Sequence, residues 1–151
     1  MDLQAQFESA HREHQEILEF LDRWEEALRL LESENCDVCH AGLARLRHMA
    51  EPIGNICEHC RREEEDPESP LFRFAQEADR GRMKDEHFRL YRANSEFRRE
   101  LDLTKPAYTG DLVLSGLKLL TTLRGHIVYE EGLLHRFAAN QFENELAASH
   151  A

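Results

Sequence analysis

The chain has 151 residues, of which 32% are charged, with seven glycines and four prolines and a formal net charge of −11. This composition is typical of one folded, helix-rich domain and excludes disordered and fibrous proteins. The negative charge argues against a nucleic-acid partner, and no apolar run approaches the ~20 residues of a membrane span. The N-terminal residues do not resemble a secretory signal, so we expect a cytoplasmic protein whose four cysteines are thiols or metal ligands.

The first segment, from about Leu3 to Ser33, carries the apolar stripe of an amphipathic helix. The stripe members recur at alternating intervals of three and four residues: Phe7, Ala10, His14, Ile17, Leu21, Trp24, Leu28 and Leu31. This spacing predicts a helix with one face on a core. Because His14 lies on the stripe and His11 beside it, we expect His14 to point inward.

The second segment, from about Asp37 to Glu65, contains the pair His59 and Glu63. Residues four apart lie on one side of a helix, one turn from each other. An imidazole and a carboxylate in this arrangement can bind one metal ion together. Both residues continue an apolar stripe, and a glutamate facing a core needs a partner or a metal ion.

Two more helical segments follow the loop at 66–70 and a short apolar stretch at 71–74. The third, from about Glu77 to Leu103, has a stripe that turns His87 inward. The fourth runs from about Ala107, after a proline at 106 suited to a first helical turn, to Phe142. Its stripe contains a second pair four residues apart, His126 and Glu130, whereas Glu131 lies about 100° off the stripe.

These segments predict an all-α protein, an antiparallel up-down-up-down four-helix bundle at residues 1–142 with a C-terminal tail at 143–151. The polar residues on the inward stripes form the candidate metal site: His14, His59, Glu63, His87, His126 and Glu130. Four imidazoles and two carboxylates can hold two first-row metal ions. The remaining histidines that lie off the stripes are expected on the surface: His40, His48, His135 and His150.

The order His … His-x-x-x-Glu … His … His-x-x-x-Glu over four helices resembles the hemerythrin-like (HHE cation-binding) family. The local sequences match as well. Residues 13–17 resemble the family's first-helix Glu-His-x-x-Ile, and residues 59–64 with Leu71 and Phe72 resemble its second-helix His-His-x-Lys-Glu-Glu and following Leu-Phe. Residues 86–87 resemble the third-helix Glu-His, and residues 126–131 resemble His-Ile-x-x-Glu-Glu. The resemblance covers about residues 3–140.

The resemblance implies a non-haem di-iron centre in which Glu63, Glu130 and an oxo or hydroxo group bridge two iron ions; manganese or zinc suits the same donors. It also implies that oxygen, nitric oxide or peroxide binds at an open iron position. We therefore expect a binding protein for sensing, storage or stress response. The alternative is an enzyme that acts on peroxide or nitric oxide, or that donates iron for iron–sulfur repair. The sequence identifies no protein partner and no catalytic residue.

Two positions differ from oxygen-carrying members of the family. Their second histidine on the third helix, one turn after the first, is Tyr91 here, and their fourth-helix Asp, five residues after the histidine, corresponds to Glu131. Tyr91 is open to three roles: a phenolate ligand, a hydrogen-bond donor to a bridging group, or a packing residue. Glu131 and His11 are candidates for ligands or for hydrogen-bond partners of ligands.

The cysteines offer a competing interpretation. Cys36-x-x-Cys39 and Cys57-x-x-Cys60 have the spacing of a structural four-cysteine zinc site. If residues 39–57 are helical, however, the two pairs lie about 27 Å apart and cannot share an ion unless the helix breaks near the proline at 52. Cys57 and Cys60 also flank the candidate ligand between them, which makes them either redox-sensing thiols or simple packing thiols.

Overall fold

The computed structural model describes residues 2–104 and 109–150, and this part of the chain is helical, with no strand. Five helices follow one another: α1 Leu3–Leu30, α2 Cys36–Glu65, α3 Pro70–Phe74, α4 Glu77–Leu103 and α5 Gly110–Ser149. The predicted all-α class is confirmed. The predicted start of the last helix at Ala107, and the role assigned to Pro106, lie outside the described residues.

Side chains at the N-termini account for where several helices begin. The Asp2 carboxylate accepts a hydrogen bond from the backbone N–H of Ala5 at the start of α1, and the Asn35 side chain caps α2. Gln76 and Asp79 form a reciprocal capping box at the start of α4. Each cap satisfies backbone donors that have no partner within the helix.

The largest departure from the sequence prediction is the C-terminal end of α5. The helix continues through the expected tail to Ser149, well past the predicted end at Phe142. Residues 143–149 contain neither glycine nor proline and consist mostly of glutamate, leucine and alanine, which favour helix. Phe142 is 61% exposed and the residues after it are exposed, so this last stretch is not held by the core.

The four long helices pack around a shared interior. Helix α1 lies against α2 and α5, α4 lies against α5 and α2, and the short α3 contacts α1, α2 and α5. The main apolar cluster draws residues from all four long helices, with Trp24 and Phe97 in edge-to-face contact at 5.0 Å between ring centroids. Within the described residues, no helix carries an apolar stretch that is long enough to cross a membrane.

A second, smaller apolar cluster lies around α3 and includes Leu71, Met83 and Phe137. On α1, α4 and α5, candidate metal ligands lie between the residues of the two clusters, apart from His126, which lies between two residues of the main cluster. On α5, for example, Ile127 belongs to the main cluster and Leu133 to the smaller one, with Glu130 between them. The fold therefore encloses a polar layer between two apolar layers.

A close approach of α1 and α2 makes Gly42 a sensitive position. A Cβ atom at residue 42 would lie 2.7 Å from the Cβ of Leu30 and 3.0 Å from the carbonyl oxygen of Ala27. We expect Gly42→Ala to lower the free energy of unfolding by about 1–3 kcal/mol, because the helices must separate. Urea unfolding followed by circular dichroism measures this.

The matched control is Gly81→Ala on α4, where an added Cβ meets no atom within 4 Å. This substitution should raise stability by about 0.5–1 kcal/mol, because alanine loses less backbone entropy than glycine on folding. Equal effects at the two positions would show that the contact between α1 and α2 is not tight.

Candidate metal centre

The six predicted ligands lie in one connected group of side chains contributed by α1, α2, α4 and α5. His14, His126 and Glu130 are buried, with at most 1% of each exposed. The side chains of Glu63 and His87 are mostly buried, whereas that of His59 is 41% exposed. His14, His126 and Glu130 therefore lie inward, as the apolar stripes predict, whereas His59 lies at the exposed edge of the group.

One half of the group joins α1, α2 and α5. His14 Nε2 lies 3.0 Å from Glu130 Oε2 and 3.4 Å from Glu63 Oε2. The second oxygen of Glu63 lies 3.3 Å from His59 Nε2, which also contacts Glu13 at 3.0 Å. This arrangement brings two imidazoles and three carboxylates together, with Glu13 at the exposed edge.

The other half joins α2, α4 and α5. His126 Nε2 lies 2.7 Å from Glu130 Oε1 and 2.8 Å from Glu64 Oε1, and His87 Nε2 lies 3.1 Å from Glu64 Oε2. The two imidazole rings are nearly perpendicular, with centroids 5.1 Å apart. Glu130 therefore presents one oxygen to each half, as a bridging carboxylate would.

Several of these atoms approach one another without the angles that a hydrogen bond requires. Among the described residues, seven buried ligand atoms of the group have no hydrogen-bond partner: Nε2 of His14, His87 and His126, Oε2 of Glu63, Oε1 of Glu64, and both oxygens of Glu130. An unsatisfied buried polar group costs about 1–3 kcal/mol, so native proteins rarely leave so many together. Side chains that aim at shared points, at ion-pair distance but without hydrogen-bond partners, fit one or more metal ions.

Carboxylates outside the group hold the two most buried imidazoles in place. His14 Nδ1 lies 2.6 Å from Glu131 Oε1, and His126 Nδ1 lies 3.0 Å from Glu86 Oε2. Since an ionised carboxylate only accepts hydrogen bonds, each Nδ1–H donates outward and leaves Nε2 directed at the group. Metal-binding histidines are typically oriented by this kind of bond.

Charge within the group changes the proton affinity of its members. Burial lowers the pKa of His14, but the carboxylates of Glu130 and Glu63 beside it raise the pKa overall to about 10. Burial likewise lowers the pKa of His126, and Glu130 and Glu64 raise it overall to about 11. Burial raises the pKa of Glu130, but the contacts with His126 and His14 hold it well below its usual value. Without metal, the protonated histidines offset the charge of the carboxylates beside them, and a metal ion would displace those protons.

The sequence interpretation missed two ligand candidates: Glu13, which lies 3.0 Å from His59 Nε2, and the more buried Glu64. The Glu64 carboxylate contacts both histidines of the second half, and its side chain is 9% exposed. The feature that indicates Glu64 is Cys60, which lies four residues earlier on the same face of α2 and is fully buried. The chosen stripe through His59 is rotated by one residue, about 100°, from the one that faces the interior.

Three further candidates lie outside the group. Glu131 bonds the outer nitrogen of His14, so it acts as a hydrogen-bond partner of a candidate ligand, and His11 contacts the other oxygen of Glu131 at 2.6 Å. Tyr91 is 71% exposed. That exposure argues against the first two roles considered for its phenol, and it does not pack in the core either.

The cysteines do not form a four-thiol site. Helix α2 is continuous from Cys36 to Glu65, so Cys39 and Cys57 are about 27 Å apart at 1.5 Å per residue. The structural-zinc interpretation is therefore wrong. Burial raises the pKa of the Cys57 thiol to about 11 and that of Cys60 well above its usual value, and a thiol that stays protonated is a poor redox sensor.

Cys60 has a different relation to the group. Its sulfur lies within 4.8 Å of ligand atoms of His126 and Glu130, and its side chain is fully buried. It thus closes the wall of the second half on the α2 side.

Comparison of the chain with models of protein families, with curated proteins and with solved structures gave no match. The interpretation of the centre therefore depends on its residues and their geometry.

The raised histidine pKa values predict how the metal-free protein responds to pH. A folded-state pKa near 10 or 11, against 6.5 in the unfolded chain, stabilises the fold fully below pH 6.5 and progressively less as the pH rises towards 10. Urea unfolding in the presence of a chelator should show the free energy of unfolding falling between pH 6.5 and 9. The slope should be at most about 1.4 kcal/mol per pH unit for each histidine.

Glu130→Gln is the informative variant, because it keeps the shape of the side chain and removes the charge that raises both pKa values. Its stability should depend less on pH over the same interval. An identical slope in the variant and the parent would mean that Glu130 does not set the protonation of these histidines.

Proposed function

We propose that this chain is a hemerythrin-like protein that binds two iron ions in an antiparallel, up-down-up-down four-helix bundle and binds oxygen, nitric oxide or peroxide there. The observation that carries the proposal is the set of seven buried ligand atoms without hydrogen-bond partners, drawn from all four long helices. The bundle topology is supported by the packing, in which each long helix has the preceding or following long helix as a neighbour.

The donors divide into two sets of a composition suited to iron. His14 and Glu63, with His59 at the exposed edge, would hold one ion, and His87, His126 and Glu64 would hold the other, with Glu130 between them. Three glutamates offset most of the charge of two divalent ions, so the pair is not buried as an uncompensated charge. Imidazole and carboxylate donors also accept manganese and zinc, so the metal must be identified by measurement.

When bound, iron supplies the redox-active centre for a small ligand, and the chain supplies position, charge and access. The outward hydrogen bonds from His14 and His126 fix the direction of both Nε2 atoms before any ion arrives. The apolar clusters on either side shield the most buried ligands, His14, His126 and Glu130, from bulk water. These contributions favour a stable complex with a small ligand.

Two surface cavities reach the edges of the centre. One, of about 590 Å³, lies between α2 and α4 and is lined by His87, Cys57 and Asn94 among others. The other, of about 350 Å³, is lined by His59 and Glu63. Each half thus has a ligand candidate that can be approached from solvent, which supports entry of a diatomic molecule or peroxide.

The proposal predicts metal contents that differ between variants. We expect about two iron ions per chain in the parent, about one in His87→Ala, and fewer than one in Glu130→Ala, because only Glu130 serves both halves. Elemental analysis of protein refolded with iron(II) measures these values, and absorption spectra before and after exposure to air report ligand binding. His40→Ala, an exposed histidine elsewhere on α2, is the matched control.

Retention of two ions in Glu130→Ala would contradict the shared-carboxylate arrangement. If the parent protein contains no iron after it has been loaded with iron(II), the proposal as a whole is overturned. A reversible spectral change with oxygen or nitric oxide indicates a binding protein, whereas steady consumption of peroxide or nitric oxide would indicate an enzyme.

A further inference from the structure

A separate set of metal-ligand side chains lies on the surface between α1 and α5. His11 Nδ1 is 2.6 Å from Glu131 Oε2, and His135 Nε2 is 3.8 Å from the same oxygen. The side chains of His11 and His135 are 52% and 76% exposed, whereas that of Glu131 is 12% exposed. Two imidazoles therefore converge from solvent on one carboxylate.

The helices determine this convergence. Glu131 and His135 are one turn apart on α5, so they share a face, and the packing of α1 against α5 brings His11 to that face. Donors at 2.0–2.2 Å from a tetrahedral zinc ion are about 3.3 Å apart. The observed separations of 2.6 and 3.8 Å lie on either side of this value, and exposed imidazoles can rotate to meet it.

A simple ion pair explains only part of the arrangement. A hydrogen bond from His11 satisfies Glu131 Oε2, and an exposed pair of this kind contributes about 0–1 kcal/mol. The i,i+4 spacing on α5 brings the His135 ring to the same oxygen, with its centroid 6.0 Å from that of His11. The ion pair leaves this second imidazole unused, whereas a cation between the three side chains would use both.

We propose that His11, Glu131 and His135 form a third metal site, which takes a divalent transition ion such as Zn²⁺ or Fe²⁺ from solvent. Three ligands leave positions for water, so the ion there exchanges with the medium. The site adjoins the buried centre through one residue, because the other oxygen of Glu131 accepts the hydrogen bond from His14 Nδ1. It does not depend on the buried centre for its own ligands.

The test compares the number of zinc ions bound per chain in equilibrium dialysis. The double variant His11→Ala/His135→Ala should bind one ion fewer than the parent. The control His40→Ala/His48→Ala, which removes two exposed histidines of α2, should bind as many as the parent. Circular dichroism checks that each protein is folded, and the single variant His135→Ala should weaken the site at least tenfold.

Equal zinc binding by the parent and His11→Ala/His135→Ala would overturn the third site, as would the same loss in the control. The test measures a difference of one zinc ion per chain between the parent and the variant. Its outcome therefore does not depend on how many ions the buried centre or the cysteines bind. Repeating it in Glu130→Ala separates the two proposals. The difference should persist there even though the buried centre is damaged.

Discussion

The structure depends on the burial of Glu130, a carboxylate with no solvent exposure in the middle of α5. A buried charge is tolerated only when opposite charge or a metal ion compensates it. That compensation comes from His14 on α1 and His126 on α5, one at each oxygen. The contact with His14 links α1 to α5, and the remaining imidazoles and glutamates extend the same arrangement to α2 and α4.

The sequence predicts most of this because helix periodicity is regular where the apolar stripe is continuous. On α1 and α5 every stripe residue from Ala10 to Leu31 and from Leu112 to Phe137 is buried as expected. On α2 the stripe is ambiguous, since polar and apolar residues alternate near the ligands and a cysteine counts as either. A shift of one residue there places Cys60 and Glu64 more deeply than His59 and Glu63. Spacing alone does not determine a helix's rotation to better than about 100°.

Other features depend on tertiary contacts that no local pattern contains. The exposure of Tyr91 follows from how α4 lies against α2 and α5, not from its distance from His87. The role of Glu86 was hidden, because it bonds His126 of another helix. Glu131 was a candidate partner of a ligand, but its bond to His14 depends on the packing of α1 against α5. The separation of the cysteine pairs follows from helix rise once α2 is known to continue across Pro52, and the sequence left that continuity open.

In the centre, the imidazole nitrogens that lack hydrogen bonds are kept in position by hydrogen bonds on the opposite side of each ring. A cluster of buried ligands that could rotate would relax by bonding its members to one another, and the open positions between them would be lost. Here Glu131 and Glu86 hold His14 and His126 from behind, so the Nε2 atoms remain directed at the interior without hydrogen bonds. The fold thus keeps a polar layer with unsatisfied ligand atoms between two apolar clusters. Metal binding would remove the cost of those atoms, which couples the proposed function to the stability of the protein.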